Sequence, residues 1–158
     1  MSNRYASSFR GFDYLNLDEQ LTNEQKLIRD SVRNWINTAV IPIIDDCAEN
    51  NHFPKHLIKE LGSIGAFGPH IPTEYGGGGL DAISYGLIMQ ELERGDSAIR
   101  SCASVQSSLV MYPIWKFGSE AQKQYYLPKL AKGEFIGSFG LTEPNHGSDP
   151  GSMISNYK

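Results

Sequence analysis

The pattern of the sequence changes near residue 134, and this change constrains the fold more than any other feature. Before it, apolar residues recur at helical spacing after helix-capping residues such as Thr22 and Ser119. After it, residues 135–141 form a short apolar and aromatic run typical of a buried strand, and the prolines and glycines that follow indicate an irregular loop. The predicted fold is therefore mainly α, with a helical domain over residues 1–134 and the first strand of a β domain in residues 135–158.

Five helices are predicted in the first 134 residues. The first begins at a capping box formed by Thr22 and Gln25 and is broken or kinked at Pro42. The last begins at Ser119 and ends near Pro128, because proline cannot donate a backbone hydrogen bond. The other three are predicted over residues 54–64, 81–94 and 96–117.

Charge and composition argue against several classes of protein. The net charge is −4 without a basic cluster, which argues against nucleic acid as a partner. No apolar run approaches the roughly 20 residues that cross a bilayer, so no membrane span is predicted. Cys47 and Cys102 are far apart and the four histidines lack metal-ligand spacing, so we expect reduced thiols and no metal site. The glycines at 76–79 lack the lysine of a P-loop, which favours a plain connecting loop.

A polar stripe marks the fourth predicted helix. Arg100, Ser104 and Ser108 are spaced four residues apart and share one helix face. Such a stripe is either a solvated face or the wall of a pocket. Because residues 98–112 carry almost no other charge, both faces of the helix are expected to be covered, and a covered arginine needs an anionic partner. The planar guanidinium suits a carboxylate, to which it can donate two parallel hydrogen bonds.

The loop after residue 141 carries the most specific motif of the chain. Threonine-glutamate-proline at 142–144 and glycine-serine-aspartate at 147–149 resemble the flavin-binding signature of the acyl-CoA dehydrogenases. The resemblance implies the helical bundle domain of that family over residues 1–134 and the start of its middle β domain over residues 135–158. It covers nearly the whole chain, and its strongest form is toward the glutaryl-CoA dehydrogenase branch, through residues 17–22, 91–94, 104–111 and 139–150.

This resemblance implies roles for four residues of the fourth helix and its neighbour. In the glutaryl-CoA branch, an arginine and a serine hold the distal carboxylate of the substrate, and they match Arg100 and Ser104 here. Ser101 is expected beside the acyl chain, and Glu93 matches a glutamate near that carboxylate. Most relatives that act on plain fatty acyl chains lack this arginine, so the resemblance favours the pocket-wall interpretation of the stripe.

The resemblance also implies an FAD site in the terminal loop. Backbone groups at Leu141 and Thr142 are expected to contact the flavin ring, and the hydroxyls of Thr142 and Ser148 add polar contacts, with Ser148 also near the acyl-CoA. Donors beside a flavin stabilise the negative charge that arrives on reduction. His146 departs from the small residue common in the family. The predicted cofactor residues are Phe139, Gly140, Leu141, Thr142, Glu143 and Ser148.

The implied reaction is an oxidation of acyl-CoA. An α-proton is removed, a β-hydride passes to FAD, decarboxylation of glutaryl-CoA gives crotonyl-CoA, and the electrons leave to electron-transfer flavoprotein. The family's base is a glutamate in a C-terminal domain, and no residue of this sequence matches it. The chain is therefore expected to be the inactive front portion of a larger enzyme, which relatives suggest is a homotetramer. Its expected location is the cytoplasm of a bacterium or the mitochondrial matrix of a eukaryote.

Two alternatives stay open at the level of sequence. The chain could belong to a short-chain acyl-CoA oxidase or to a dehydrogenase that does not decarboxylate, which carbon dioxide release and oxygen use would distinguish. It could also be a non-catalytic helical binding module, which a yellow cofactor after gentle purification would argue against.

Overall fold

Eight α-helices lie along the part of the chain described by the structure, a computed structural model that covers residues 14–156. Residues 1–13 of the predicted helical domain and residues 157–158 of the predicted β segment lie outside the described residues. The helices are α1 Leu17–Gln20, α2 Asn23–Trp35, α3 Ile41–Glu49, α4 Leu57–Ser63, α5 Ala82–Gly95, α6 Ser97–Ser104, α7 Tyr112–Phe117 and α8 Glu120–Ala131. Two π-helical turns, Ile36–Val40 and Val105–Met111, join α2 to α3 and α6 to α7, and two short 3₁₀ turns lie at Thr73–Tyr75 and Pro150–Ser152.

The helix starts predicted at Thr22 and Ser119 are confirmed by their caps, whereas the helix predicted from Pro54 begins at Leu57 without a side-chain cap. The Thr22 hydroxyl accepts from the backbone N–H of Gln25 (3.2 Å), and the Gln25 side chain accepts from the Thr22 N–H (3.0 Å). Ser119 and Gln122 form the same reciprocal pair at the start of α8. These local bonds satisfy backbone donors that have no partner inside the helix, so the first turn forms at the residue that carries the cap.

Each π turn ends two residues before a proline. Pro42 and Pro113 occupy the second position of the helix that follows. A proline has no N–H, and its ring presses on the carbonyl four residues earlier, which here belongs to Thr38 or Leu109. Because both carbonyls lie within the wider π turns, the helices continue past their prolines. The interruption predicted at Pro42 therefore takes the form of a π turn.

The predicted end of the last helix is wrong. The helix continues through Pro128 to Ala131. The proline removes one backbone hydrogen bond, but the last turn packs Leu127, Leu130 and Ala131 into the core. Burial of apolar side chains contributes roughly 1.5–3 kcal/mol for a leucine, which is comparable with the roughly 3 kcal/mol that an interior proline costs.

The core takes side chains from α2, α4, α5, α6 and α8, and within it α2 packs along α5 and α5 forms a hairpin with α6 through Asp96. A buried carboxylate, Glu91, ties α2 and α5 together. It accepts from Arg33 at 2.6 and 3.1 Å and from Arg94 at 2.9 Å. Burial opposes its charge, but the two guanidinium groups outweigh burial and hold the pKa of Glu91 below its ordinary value. The largest fully buried side chains include Phe67, Ile36, Leu57, Leu61, Ile71, Ile88, Leu92, Ile99, Met111 and Leu127.

The strand predicted over residues 135–141 does not form. No strand occurs within residues 14–156, and the terminal loop contains only an isolated bridge between Glu143 and His146. A strand requires a neighbour that pairs with its backbone N–H and C=O groups, and the described residues provide none. The segment is therefore irregular, and Phe135, Ile136, Phe139 and Leu141 are exposed. The mainly α class is confirmed, and the domain boundary at 134 stays a prediction.

Candidate functional site

Polar side chains line the contact between the two helices of the α5–α6 hairpin. Near the turn, Arg100 of α6 contacts Glu93 of α5. Two helical turns farther from it, Ser108 in the second π turn contacts Tyr85 of α5, with 2.7 Å between the two hydroxyl oxygens. Ser104 lies between these pairs and accepts from Arg100. We call these five residues the polar seam.

Arg100 is held in place by its own helix and by α5. Its Nε donates to Glu93 Oε2 (2.5 Å), and its Nη1 donates to Ser104 Oγ (3.3 Å). Ser97 donates to the other oxygen of Glu93 (2.7 Å). The Arg100 guanidinium, together with the Ser97 hydroxyl, holds the pKa of Glu93 below its ordinary value. Glu93 is therefore a carboxylate at neutral pH and orients the arginine.

The predicted burial of Arg100 is only partial. Its side chain keeps 35% of its exposure, and Glu93 keeps 47%. The anionic partner expected for Arg100 is thus Glu93, a residue of the chain itself. Within residues 14–156, the Nη2 group of Arg100 makes no hydrogen bond, so it remains able to donate to a carboxylate that approaches from the open side.

Ser101 and Ser104 lie next to the guanidinium. The Ser104 hydroxyl donates to the Ser101 carbonyl (3.2 Å) while its oxygen faces Arg100, which fixes the rotamer of Ser104. Ser101 is partly exposed one residue after Arg100. The three residues predicted at or near the carboxylate, Arg100, Ser104 and Glu93, are therefore brought together at one end of the hairpin, and Ser101, predicted beside the acyl chain, follows Arg100 directly. Their role stays a prediction.

An aromatic cluster at the far end of the seam was missed by sequence reasoning. Tyr85 meets His70 edge to face, with ring centroids 5.3 Å apart, and His70 also contacts Tyr112 at 5.7 Å. Burial lowers the pKa of His70, so the ring is neutral at pH 7 and adds no charge to the seam. The sequence contained a sign of this contact. Tyr85 lies eight residues before Glu93, and Ser108 lies eight residues after Arg100, so in an antiparallel hairpin that pairs Glu93 with Arg100 the other two residues also meet.

The predicted cofactor segment is open on one side. Phe139 and Leu141 keep 47% and 39% of their exposure, and a Cβ added at Gly140 would meet nothing within 4 Å. Thr142 and Ser148 are also exposed. An exposed aromatic ring and an exposed leucine beside exposed hydroxyls and an unobstructed backbone suit a flat, partly polar ligand such as a flavin. The residues present therefore fit the predicted group.

Glu143 has a structural task within this loop. Its backbone pairs with that of His146 through bonds of 3.0 and 3.1 Å, which closes a tight turn. Its carboxylate accepts from the backbone N–H groups of Ile154 (3.1 Å) and Ser155 (2.7 Å). These bonds hold the pKa of Glu143 below its ordinary value, and the bond from Ser155 contributes most to this shift. The predicted contact of Glu143 with the cofactor stays a prediction.

Metal and membrane sites were also sought in the described part of the chain. Between residues 14 and 156, no group of three or more His, Cys, Asp or Glu side chains could hold a metal ion. None of the helices in that range is long and apolar enough to cross a membrane.

Comparison with known proteins decides the family. Residues 22–134 match the family model described as "Acyl-CoA dehydrogenase, N-terminal domain". The chain belongs to the acyl-CoA dehydrogenase family. This confirms the resemblance drawn from the motifs at 142–149 and agrees with the mainly helical fold.

Several members of the family are similar to this chain. A glutaryl-CoA dehydrogenase of Desulfococcus multivorans is 39% identical over 142 residues, which are 88% of this chain and 36% of that protein. A short-chain-specific acyl-CoA dehydrogenase of Clostridium acetobutylicum is 41% identical over 137 residues, covering 87% and 36%. A crystal structure of a Mycobacterium smegmatis glutaryl-CoA dehydrogenase in complex with FADH2 is 44% identical with a TM-score of 0.84, covering 88% and 36%. The chain thus spans 36% of the length of each of these relatives.

Proposed function

We propose that this chain is the N-terminal portion of an FAD-dependent glutaryl-CoA dehydrogenase. The complete enzyme would convert glutaryl-CoA to crotonyl-CoA by oxidative decarboxylation and pass the electrons to electron-transfer flavoprotein. The observation that carries the proposal is the oriented Arg100, which is paired with Glu93 through Nε and supported by Ser104. Similarity to glutaryl-CoA dehydrogenases supports the same substrate.

The geometry at Arg100 suits a carboxylate at the end of an acyl chain. Glu93 accepts from Nε and Ser104 accepts from Nη1, while Nη2 makes no hydrogen bond within residues 14–156 and the side chain keeps 35% of its exposure. A further carboxylate could therefore accept from Nη2, with the Ser104 hydroxyl beside the guanidinium. Charge-assisted hydrogen bonds of this kind contribute about 1.5–3 kcal/mol, and more when water is excluded. A plain acyl chain would leave the Nη2 donor unsatisfied, which gives selectivity.

The segment from Phe139 to Ser148 would hold the cofactor. FAD, when bound, supplies the acceptor for the hydride that leaves the acyl chain. In the proposed enzyme, backbone groups of Leu141 and Thr142 would contact the ring, and the hydroxyls of Thr142 and Ser148 would add polar contacts. Glu143 keeps this loop closed through Ile154 and Ser155. The base that removes the α-proton is expected outside these 158 residues, in the rest of a longer protein.

The runner-up function differs in substrate or in the fate of the electrons. The relative specific for short acyl chains is as similar to this chain as the glutaryl-CoA relative is, at 41% against 39% identity. Sequence identity to these two relatives therefore supports a short-chain acyl-CoA dehydrogenase as well as a glutaryl-CoA dehydrogenase, and a short-chain oxidase is kept as an alternative within the same class. Arg100 and its partners favour the dicarboxylic substrate, because a plain acyl chain has no group that accepts a hydrogen bond from the guanidinium. The third hypothesis is a non-catalytic helical module that keeps only the carboxylate site.

Arg100→Ala in the complete protein tests the proposal. We expect the KM for glutaryl-CoA to rise by roughly 10–100-fold, since one or two charge-assisted hydrogen bonds are lost, and the KM for butyryl-CoA to change by less than about threefold. Arg100→Lys keeps the charge but lacks the planar fork, so its KM for glutaryl-CoA should lie between those of the wild type and of Arg100→Ala. Lys59→Ala, which removes an exposed cation from α4, is the matched control. Steady-state assays with a dye acceptor, together with carbon dioxide release and oxygen use, give the result.

An equal loss with both acyl-CoA substrates would contradict the proposal in favour of the runner-up. A complete protein that releases no carbon dioxide from glutaryl-CoA would contradict the decarboxylation step. The 158 residues assayed alone should show no turnover, because the base is absent from them, and turnover by this piece would refute that part of the proposal. A complete protein purified without bound flavin and without activity toward either substrate would favour the non-catalytic module.

A further inference from the structure

Gln106 is a buried amide at the contact between the second π turn and the segment that follows α8. Only 1% of its surface is exposed. Its Nε2 donates to the carbonyls of Leu130 (3.0 Å) and Phe135 (2.8 Å), and its Oε1 accepts from the N–H of Gly137 (3.0 Å). Both hydrogens of the amide and its oxygen are therefore used, and all three partners are backbone atoms on either side of the chain's exit from α8.

The backbone of this segment lies directly on the helix that carries Gln106. A Cβ added at Gly137 would come within 2.4 Å of Val110 Cγ1, which is closer than atoms can approach. Val110 follows Gln106 by four residues, so both face the same segment. The segment thus contacts the helix at two points. One is the Gln106 amide, and the other is Gly137, where a residue with a side chain would not fit against Val110.

One helical stretch consequently holds both parts of the proposed site. Gln106 follows Ser104 by two residues, so it lies on a different side of the helix, away from the polar seam. Gly137 precedes Phe139 by two residues, at the entry to the proposed cofactor segment. The carboxylate-binding residues and the cofactor segment are therefore connected through a few rigid helical residues and one fully satisfied amide.

We propose that Gln106 is a positioning residue that fixes the flavin segment against the helical stretch that carries the polar seam, and so sets the position of the flavin relative to any bound acyl chain. This inference rests on the proposed function. Hydride transfer requires the donor carbon and the acceptor to be aligned, and a misplacement of 1 Å can reduce a rate by roughly 100-fold. Gln106 touches no reacting atom, so its effect should appear in kcat for every acyl-CoA, whereas that of Arg100 should appear in the KM for glutaryl-CoA.

The decisive variant is Gln106→Met, which keeps the length of the side chain but removes all three hydrogen bonds. Gln90→Met, on the exposed face of α5, is the matched control. In the 158-residue chain, exchange of the Gly137 amide hydrogen should become at least tenfold faster in the first variant and stay unchanged in the second. In the complete protein, Gln106→Met should lower kcat for glutaryl-CoA and butyryl-CoA alike by roughly 10–100-fold, with flavin content unchanged and each KM within about threefold.

A second variant reaches the same contact from the other side. Gly137→Ala keeps Gln106 but pushes the segment away from Val110. It should lower kcat by a similar factor, and it decides the question if Gln106→Met fails to fold. Unchanged Gly137 exchange in Gln106→Met, or unchanged kcat in the folded variants of an active enzyme, would overturn the positioning role. Failure of the proposed function looks different, because there the wild-type protein lacks activity or Arg100→Ala affects both substrates equally.

Discussion

Leu61 in the helical part is fully buried, whereas Leu141 in the segment after α8 keeps 39% of its exposure. The same contrast holds for charged groups. Glu91 is buried and shared by two arginines from different helices, while the Glu143 carboxylate accepts from backbone N–H groups eleven and twelve residues away. The helical part is therefore stabilised by its own core. The segment is ordered by a few hydrogen bonds that leave its apolar side chains free to meet a ligand or another part of a longer protein.

Truncation of one leucine in each region should sharpen this contrast most. Leu61→Ala leaves a cavity in the core and should reduce the free energy of unfolding by about 3 kcal/mol. Leu141→Ala, its matched control in the exposed segment, should change that free energy by less than about 0.5 kcal/mol. Urea denaturation followed by circular dichroism measures both. Similar losses in the two variants would show that the segment belongs to the same cooperative unit as the core.

The buried ion cluster gives the next largest expected effect. Glu91→Gln removes the charge that faces Arg33 and Arg94 and should reduce the free energy of unfolding by about 2 kcal/mol. Glu49→Gln, at the exposed end of α3, is the control and should be neutral. The same denaturation experiment measures both variants. A neutral result for Glu91→Gln would show that α2 and α5 are held together by apolar contacts alone.

The smallest expected effect is a local dependence on pH in the terminal loop. The folded pKa of Glu143 is lowered, so its hydrogen bonds stabilise the loop fully above the ordinary pKa of about 4.3 and are lost as the pH falls through the lowered value. The amide NMR signals of Ile154 and Ser155 should therefore shift together, with a midpoint below the ordinary glutamate value. Glu143→Gln should abolish this titration. A midpoint at or above the ordinary value would contradict the loop-closing role.

Sequence reasoning located the parts of the fold that depend on local patterns. The helix starts at Thr22 and Ser119 follow from capping bonds between residues three apart, which a linear sequence displays. The predicted end of the last helix and the predicted strand over 135–141 were wrong, because each of these features depends on distant residues. Packing of Leu127 and Leu130 carries α8 past Pro128, and strand formation needs a partner that the described residues lack.

The candidate site was predicted in part for the same reason. The spacing of Arg100 and Ser104 placed them on one face, and the resemblance added Glu93, which the structure brings within hydrogen-bonding distance of Arg100. The burial expected for Arg100 is only partial. Gln106 was not identified, because a glutamine inside a polar helical run gives no sign of which distant backbone atoms it will meet.

The widened turn between α6 and α7 also makes the numbering of that stretch functionally sensitive. A regular α-helix rotates by about 100° per residue, so deleting one residue between positions 105 and 107 would rotate the residues beyond it around the helix axis. Ser108 and Tyr112 would then leave Tyr85 and His70, while Arg100 would stay beside Glu93. A change of one residue in this turn would therefore alter the Tyr85 end of the polar seam and leave its Arg100 end in place.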